Sequence, residues 1–290
     1  MSSPEIRRLG LIAGNGRLPL LALEEAVGLG LGVTVAAVQE EAEGDVARLA
    51  EQNPDQVTLH RVGVGRLGKL IRLFKREGVD HAVMVGQVRH IRIFAADSSA
   101  PRTFLSQLPD LRMLQLVRSL PKKDTSSLIS AVIGELEKEG IRFLDSTMFL
   151  SRILAPEGVL TKRGPSKEEA RDIEYGRKIA REVARLDLGQ TIVVKNQAVV
   201  AIEAMEGTDE TIRRAARLAA NERLTVVKAA RPQQDMRYDV PVIGLTTLQV
   251  LRECSVSALA LDAGRTLIVD RDEFVRGAEE SGICVVAMKL

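Results

Sequence analysis

The chain has 290 residues, a formal net charge of +2, 45% apolar residues, 3% aromatics and no Trp. That length points to two domains with cores of Leu, Val, Ile and Ala, and the near-neutral charge argues against nucleic acid as a partner. Cys254 and Cys284 form no CxxC motif and suit a reducing compartment, and no stretch is apolar enough for long enough to span a bilayer, so a cytoplasmic protein is expected, with peripheral contact at a membrane surface left open.

Leu9–Ala13 reads as a buried strand, followed by the turn Gly14-Asn15-Gly16 and an apolar helix over Leu18–Gly28. Val33–Val38, Val57–Arg61 and His81–Val85 read as further strands, with a helix over Leu67–Glu77 before the last. Strands alternating with helices predict an α/β fold with a parallel, doubly wound, Rossmann-like sheet. Ligands of such sheets sit beyond the carboxyl ends of the strands, where Gly14, Asn15, Gly16, Gly86 and Gln87 fall. The glycine turn is either a tight strand-to-helix connection or a phosphate cradle of backbone N–H groups. A dinucleotide fingerprint would need a third glycine at position 19, where Pro19 stands. Glu40, near the end of the second strand, keeps an NAD(P)-binding oxidoreductase as a rival.

A basic segment, Arg89-His90-Ile91-Arg92, follows Gln87 and Val88. Arg102–Leu120 reads as a helix with Leu105, Leu108, Leu111 and Leu114 at helical spacing, and Ser127–Glu139 as another with Leu128, Val132 and Leu136 on one face. These faces read as core, with a slot for acyl chains as the alternative. Ile141–Leu144 is one more short strand. His60, His81 and His90 lack metal-ligand spacing.

An N-terminal domain is placed at residues 1–158, a linker at 159–165 and a distinct C-terminal α/β catalytic domain at 166–290. Ser166 and Glu169 form a capping box for a helix to about Leu186, with Ile173, Ile179, Val183 and Leu186 as its buried face. Thr191–Val194 and Ala198–Met205 read as a hairpin that puts Glu203 on an otherwise apolar face with Val199, Ala201 and Met205. Thr208 is the expected N-cap of a helix reaching Asn221, and Asp209 and Glu210 are natural first-turn acids. Arg213, Arg214 and Arg217 form a solvated face or a cationic wall for phosphate. Leu224–Lys228 is a strand ending in a cation. If Asp235–Val240 is extended, its two aspartates lie about 13 Å apart at ~3.3 Å per residue, with Arg237 between them. Helices over Leu245–Glu253 and Arg271–Ser281 and strands over Ser257–Leu261, Thr266–Val269 and Ile283–Ala287 complete the chain.

Ionised side chains between Glu203 and Asp239 interrupt otherwise apolar strands, which is costly unless they are paired or bound. Oxygen donors without a Cys/His cluster favour a hard cation such as Mg2+ over zinc. With Lys228 and nearby arginines they point to metal-assisted hydrolysis of a phosphoester or phosphoanhydride. No Walker A, kinase or Gly-x-Ser-x-Gly motif is present. A non-catalytic nucleotide or lipid sensor is a further alternative.

Several motifs together resemble one family. They are Gly10-Leu-Ile-Ala-Gly14-Asn15-Gly16-Arg-Leu-Pro19, Lys123-Asp124, Asp187-Leu-Gly189-Gln190, Glu203-Ala-Met-Glu206-Gly207-Thr208-Asp209, Gln234-Asp235-Met-Arg237-Tyr-Asp239-Val-Pro241 and Ala263-Gly264-Arg265-Thr266. The chain is similar over nearly its whole length to the UDP-2,3-diacylglucosamine pyrophosphatases of the lipid A pathway, in the LpxI type unrelated to calcineurin-like phosphoesterases. Arg231 stands where Lys is expected and Asp262 where Glu is usual. The resemblance implies hydrolysis of UDP-2,3-diacylglucosamine to UMP and 2,3-diacylglucosamine 1-phosphate, with water attacking the phosphorus on the sugar side. It implies a divalent cation, Mg2+ with Mn2+ as the alternative, and a substrate enclosed between the two domains. Asp235 is the carboxylate carried over first, to bind the ion or orient water. Glu203, Glu206 and Asp209 are further metal or base candidates, and Asp239 is a metal candidate. Lys228 and Arg237 would stabilise charge on the diphosphate. Gly14, Asn15, Gly16, Gly86, Gln87, Asp124, Gly207, Thr208 and Gln234 would bind substrate. The partners expected are the UDP-linked diacylated glucosamine, the inner-membrane surface and, as one assembly option, a second copy of the chain.

Overall fold

The computed structural model describes residues 6–38, 44–87, 109–122, 125–220 and 222–289. Glu40, the segment Arg89–Arg92, Leu105, Leu108 and Asp124 lie outside the described residues. The chain forms two units, residues 1–150 with Met236–Tyr238, and residues 151–235 with 239–290.

The first unit is built on a five-stranded parallel sheet in the order β3-β2-β1-β4-β5, with β1 Leu9–Ala13, β2 Val33–Val38, β3 Val57–Val62, β4 His81–Val85 and β5 Arg142–Phe143. β1 and β2 are buried along their whole length, as expected where helices cover both faces. The order reverses between β1 and β4, so the crevice of the Rossmann-like sheet opens where Gly14–Gly16 and Gly86–Gln87 leave those strands. Helices α1 Leu18–Gly28, α2 Asp45–Gln52, α3 Leu67–Arg76, α4 Leu111–Ser119 and α5 Thr125–Lys138 complete this unit. α3 is amphipathic: Leu67, Leu70, Ile71 and Phe74 are buried, while Lys69, Arg72 and Lys75 are exposed.

The helix expected over 102–120 begins, in its described part, only at Leu111, because the Asp110 carboxylate accepts the Met113 N–H (3.0 Å) and caps it there. This start turns the expected Leu face outward. Leu111 is 78% exposed and Leu114 is also exposed, while Met113 is buried.

The second unit has a six-stranded mixed sheet in the order β6-β13-β11-β9-β7-β8. Its strands are β6 Gly158–Val159, β7 Thr191–Lys195, β8 Ala198–Ile202, β9 Leu224–Lys228, β11 Val256–Asp262 and β13 Cys284–Met288. β9, β11 and β13 run parallel, and β7 pairs antiparallel with both β8 and β9. β10 Val242–Ile243 and β12 Leu267–Ile268 make a separate small parallel pair. Residues 151–165 belong to this unit, with β6 paired to β13, and the division of the chain falls after Leu150.

Helices α6 Lys167–Arg185, α7 Thr208–Leu218, α8 Leu245–Glu253 and α9 Arg271–Glu280 flank the sheet. The capping box at Ser166 and Glu169 is formed in both directions. The buried face of α6 includes Ile173, Ala180 and Val183, but Leu186 is 57% exposed, because it is the C-cap and has left the helical period. Cys254 and Cys284 are buried free thiols in the apolar clusters on the two faces of the sheet. Among the described residues no helix is long and apolar enough to cross a membrane.

Candidate active site

β7 and β9 place Thr191 directly opposite Lys228. Lys228 closes a strand that is buried throughout, and its side chain goes down with it, leaving the residue 6% exposed. Its ammonium donates to Thr208 Oγ1 (2.7 Å) and, at longer range, to Thr191 Oγ1 (3.5 Å). Thr208 Oγ1 lies 3.2 Å from both Glu203 Oε1 and Thr191 Oγ1.

A hydroxyl has one hydrogen and an ammonium is only a donor, so the direction of this chain is fixed. Lys228 donates to Thr208, Thr208 donates to Glu203, and Thr191 donates to Thr208. The remaining N–H of Lys228 has no partner among the described residues. Burial pushes the Lys228 ammonium below its ordinary range, and the negative charges of Glu203, Asp209 and Asp239 pull it back up. One buried cation and three carboxylates, two from the Glu203–Asp209 motif and one from the Gln234–Pro241 motif, therefore share one electrostatic field.

Glu203 leaves the hairpin just past the end of β8, where its Oε2 also accepts the Gln190 N–H (3.3 Å). Met205 does not share a buried face with it and is fully exposed, because the strand stops at Ile202. The expected N-cap Thr208 is instead the first helical residue, with Gly207 as N-cap at φ 82°. That shift frees the Thr208 hydroxyl from capping and gives it to Lys228 and Glu203.

Gly189 is pressed against Glu203. A Cβ there would fall inside the van der Waals envelope of the Glu203 carbonyl oxygen and 2.7 Å from its carbonyl carbon. Gly189→Ala is expected to cost about 1–3 kcal/mol and to displace Glu203. A thermal melt with a parallel activity assay checks this, and an unchanged melt with full activity would refute it.

Arg231 joins three of the sequence motifs. Its Nε stands 2.9 Å from Asp187 Oδ1, its Nη1 donates to Asp239 Oδ2 (3.1 Å), and its carbonyl accepts from Arg265 Nη2 (2.8 Å). A lysine at this position could not present two donors in a fixed fork. Gln234 is buried. Its Oε1 accepts the Arg231 N–H (2.8 Å), and its Nε2 has no hydrogen-bond partner among the described residues. Asp262, also buried, accepts the Ala230 N–H (3.2 Å).

The segment Asp235–Val240 is not extended. The Asp239 N–H donates to the Asp235 carbonyl (2.9 Å), and the chain turns. One such turn advances about 6 Å, less than half the extended spacing. Asp235 is half-buried. Met236, Arg237 and Tyr238 belong by contact to the first unit: Arg237 pairs with Glu137 (3.2 Å), the Tyr238 hydroxyl bonds Ser130 (3.0 Å), and the Met236 carbonyl accepts from Ser146 Oγ (2.8 Å).

The carboxylates assigned to a metal do not gather either. Glu206 is taken by Arg214 (2.6 Å) and Thr211 (3.3 Å), Asp209 by the Thr247 hydroxyl (3.0 Å), and Asp239 by Arg231. The Glu206 carboxyl is held below its ordinary range by its own backbone N–H and then by Arg214. Among the described residues no group of three or more His, Cys, Asp or Glu side chains could hold an ion. A preformed cage of Asp235, Glu206, Asp209 and Asp239 does not fit this arrangement.

In the first unit the two glycine-containing loops clasp each other. The Gly14 N–H donates to Val85 (2.8 Å), Asn15 and Gln87 exchange backbone hydrogen bonds (2.8 and 3.1 Å), and the Gly16 N–H donates to Asn15 Oδ1 (2.7 Å). A Cβ at Gly14 would meet the Gln87 carbonyl at 2.7 Å, and one at Gly86 would meet the Asn15 carbonyl at 2.7 Å. Close approach of two backbones is why glycine stands there. The N–H groups of Gly14, Asn15, Gly16 and Gln87 are thus bonded within the two loops.

Thr191 and the fork of Arg231 were not among the expected site residues. The signal for Thr191 was its place at the start of a hairpin strand, but its pairing with Lys228 depends on a register the sequence does not print.

Residues 8–153 match the LpxI N-terminal domain and residues 156–286 the LpxI C-terminal domain. A protein of Caulobacter vibrioides named UDP-2,3-diacylglucosamine pyrophosphatase LpxI is 32% identical over 293 aligned positions, covering 98% of each chain. Among solved structures, a protein assigned as a short-chain alcohol dehydrogenase from Burkholderia multivorans is 13% identical, with a TM-score of 0.29 over 46% of this chain and 57% of its own. One assigned as a 3-oxoacyl-reductase from Bacillus thuringiensis is 13% identical, with a TM-score of 0.28 over 62% of this chain and 72% of its own. Scores this low carry no weight for fold or function. Both halves of the sequence match in order and the relative aligns end to end, so this chain belongs to the LpxI family.

Proposed function

We propose that this protein is a hydrolase that cleaves the pyrophosphate bond of UDP-2,3-diacylglucosamine, releasing UMP and 2,3-diacylglucosamine 1-phosphate. The end-to-end likeness to a relative named for that activity supports the substrate. The observation that carries the chemistry is the buried Lys228 ammonium, with an N–H to spare and a hydroxyl path to Glu203. A desolvated cation of this kind stabilises charge on a phosphoryl oxygen far better than one in water. The spare Lys228 N–H meets a non-bridging oxygen of the diphosphate. Thr208 keeps the ammonium and the Glu203 carboxylate in register. A carboxylate, Glu203 or Asp235, takes the proton of the attacking water. The water oxygen bonds the sugar-side phosphorus, and the anhydride oxygen leaves with UMP. The Gln234 amide N–H, without a hydrogen-bond partner among the described residues, is a donor for the substrate.

A Mg2+ requirement belongs to the same proposal. Asp235 is the carboxylate that would hold the ion, which when bound would supply Lewis-acid polarisation of the phosphoryl oxygens. The roles given to the protein's own residues stand without it.

The test is UMP release from the purified chain with and without EDTA, and from Asp235→Ala. Wild type is expected to release UMP only when divalent cation is present, and Asp235→Ala to remain folded and release none. Full activity in the variant would remove Asp235 from the mechanism, and absence of UMP release by wild type with Mg2+ would remove the function.

A further inference from the structure

At the carboxyl ends of the strands of the first unit lies a cavity of about 80 Å3. Ile12 of β1, Val38 of β2, Met84 of β4, Met113 of α4, and Leu128 and Val132 of α5 are among its walls, and Arg66 is the one charged residue among the described residues lining it. Protein interiors leave few voids larger than a water molecule, so a lined space at the ligand-binding edge of a parallel sheet calls for an occupant. The apart-from-Arg66 apolar lining offers nothing to a phosphate, a base or a sugar hydroxyl. Its size is about half that of the ~150 Å3 apolar cavity known to take benzene, which excludes a nucleobase and suits the end of an alkyl chain. Two of its walls are methionines, which repack readily around such a chain.

A second observation shows that the apolar surroundings of the cavity extend beyond its walls. Met84, Ile129 and Val132 pack in the same apolar cluster as Tyr238, whose hydroxyl bonds Ser130. Tyr238, which belongs to the first unit, therefore lies in the apolar cluster that surrounds the cavity.

We propose that this cavity receives the methyl end of one acyl chain of the substrate and sets the chain length the enzyme prefers. The proposal rests on the function proposed above, since it requires a diacylated substrate. Val132 is half-buried on α5 and can be changed without disturbing the sheet. Val132→Phe fills the cavity and Val132→Ala enlarges it.

The experiment compares kcat/KM on UDP-diacylglucosamines carrying long saturated chains and chains of a few carbons, with a thermal melt of each variant. Val132→Phe is expected to lower the long-to-short ratio by about tenfold or more, the order that a misfit methylene costs in an apolar pocket, with the short-chain rate unchanged. Val132→Ala is expected to move the chain-length optimum upward. A ratio that stays constant in both variants overturns the proposal. If wild type hydrolyses neither lipid, the functional reading fails instead, and native mass spectrometry of the same lipids then decides the cavity. Equal retention of the long-chain lipid by wild type and a folded Val132→Phe overturns it, and selective loss from that variant supports it.

Discussion

Replacing Lys228 with methionine is expected to lower the rate of UMP release by about 10²–10³-fold, the usual effect of deleting one charge-stabilising donor, while leaving the protein folded. Methionine follows the path of the lysine stem but carries no charge. The variant removes a buried cation whose desolvation is costly, and the carboxylate left behind, Glu203, is only half-buried. The melting temperature therefore stays close to that of wild type, and the loss falls on kcat. Burial holds the Lys228 ammonium below the ordinary lysine range. The alkaline limb of the wild-type rate profile should accordingly descend at lower pH than an exposed lysine would give, since the active form is the protonated one. Wild-type turnover in a folded Lys228→Met protein would show that the ammonium is structural.

The largest expected effect on stability is at Glu169, far from that chemistry. Its carboxylate is 1% exposed and accepts two N–H groups of Arg163 (2.8 and 3.0 Å), the Ser166 N–H (2.7 Å) and Arg223 Nη2 (2.8 Å). Burial alone would raise its pKa, but Arg163, the Ser166 N–H, Ser257 and Arg223 outweigh that and hold it at about 2 against an ordinary 4.5. A difference of that size corresponds to about 3 kcal/mol. The group binds its proton less readily in the folded state, so its contribution is complete above pH 4.5 and is lost as pH falls from there toward 2.

Glu169→Gln leaves Arg163 without its charge partner at neutral pH, where breaking such a pair costs about 3–5 kcal/mol. A fall in Tm of about 6–12 °C is expected, narrowing as the wild-type protein is titrated through that acid window. Differential scanning calorimetry from pH 7 to pH 2.5 reads both. A gap between wild type and variant that does not shrink with acid would refute the electrostatic account.

Much of the scaffold was legible in the chain. The boundaries of β1, β2, β4, β9, α1 and α8 coincide with the apolar runs that mark them, because these elements are buried on both faces or periodic enough to leave no choice. α2 was not legible: it follows Gly44 at φ 69° and buries only Val46 and Ala50, too little for a period to show. The alternation in Asp235–Val240 suits a strand, yet a backbone hydrogen bond and the seat of Tyr238 turn it, and both are set by tertiary contacts.

The same division runs through the site. Glu203 and Lys228 stood out as charges in apolar strands, and both fall on one hydroxyl. Carboxylates close together in sequence suggested a shared ion, but Glu206, Asp209 and Asp239 each answer to a different partner, brought by another helix turn, another helix and another loop. Spacing along the chain does not encode those partners.

Met236–Tyr238 has one further consequence. Three residues are lent by one half of the chain to the other and returned at once, with Asp235 and Asp239 on the side that lends them. Cutting the gene at the apparent seam after Leu150 would strip Tyr238 and Arg237 of Ser130 and Glu137 and leave an aromatic stub bare on the C-terminal fragment. Shuffling either half among relatives would have to carry this stitch with its receiving surface.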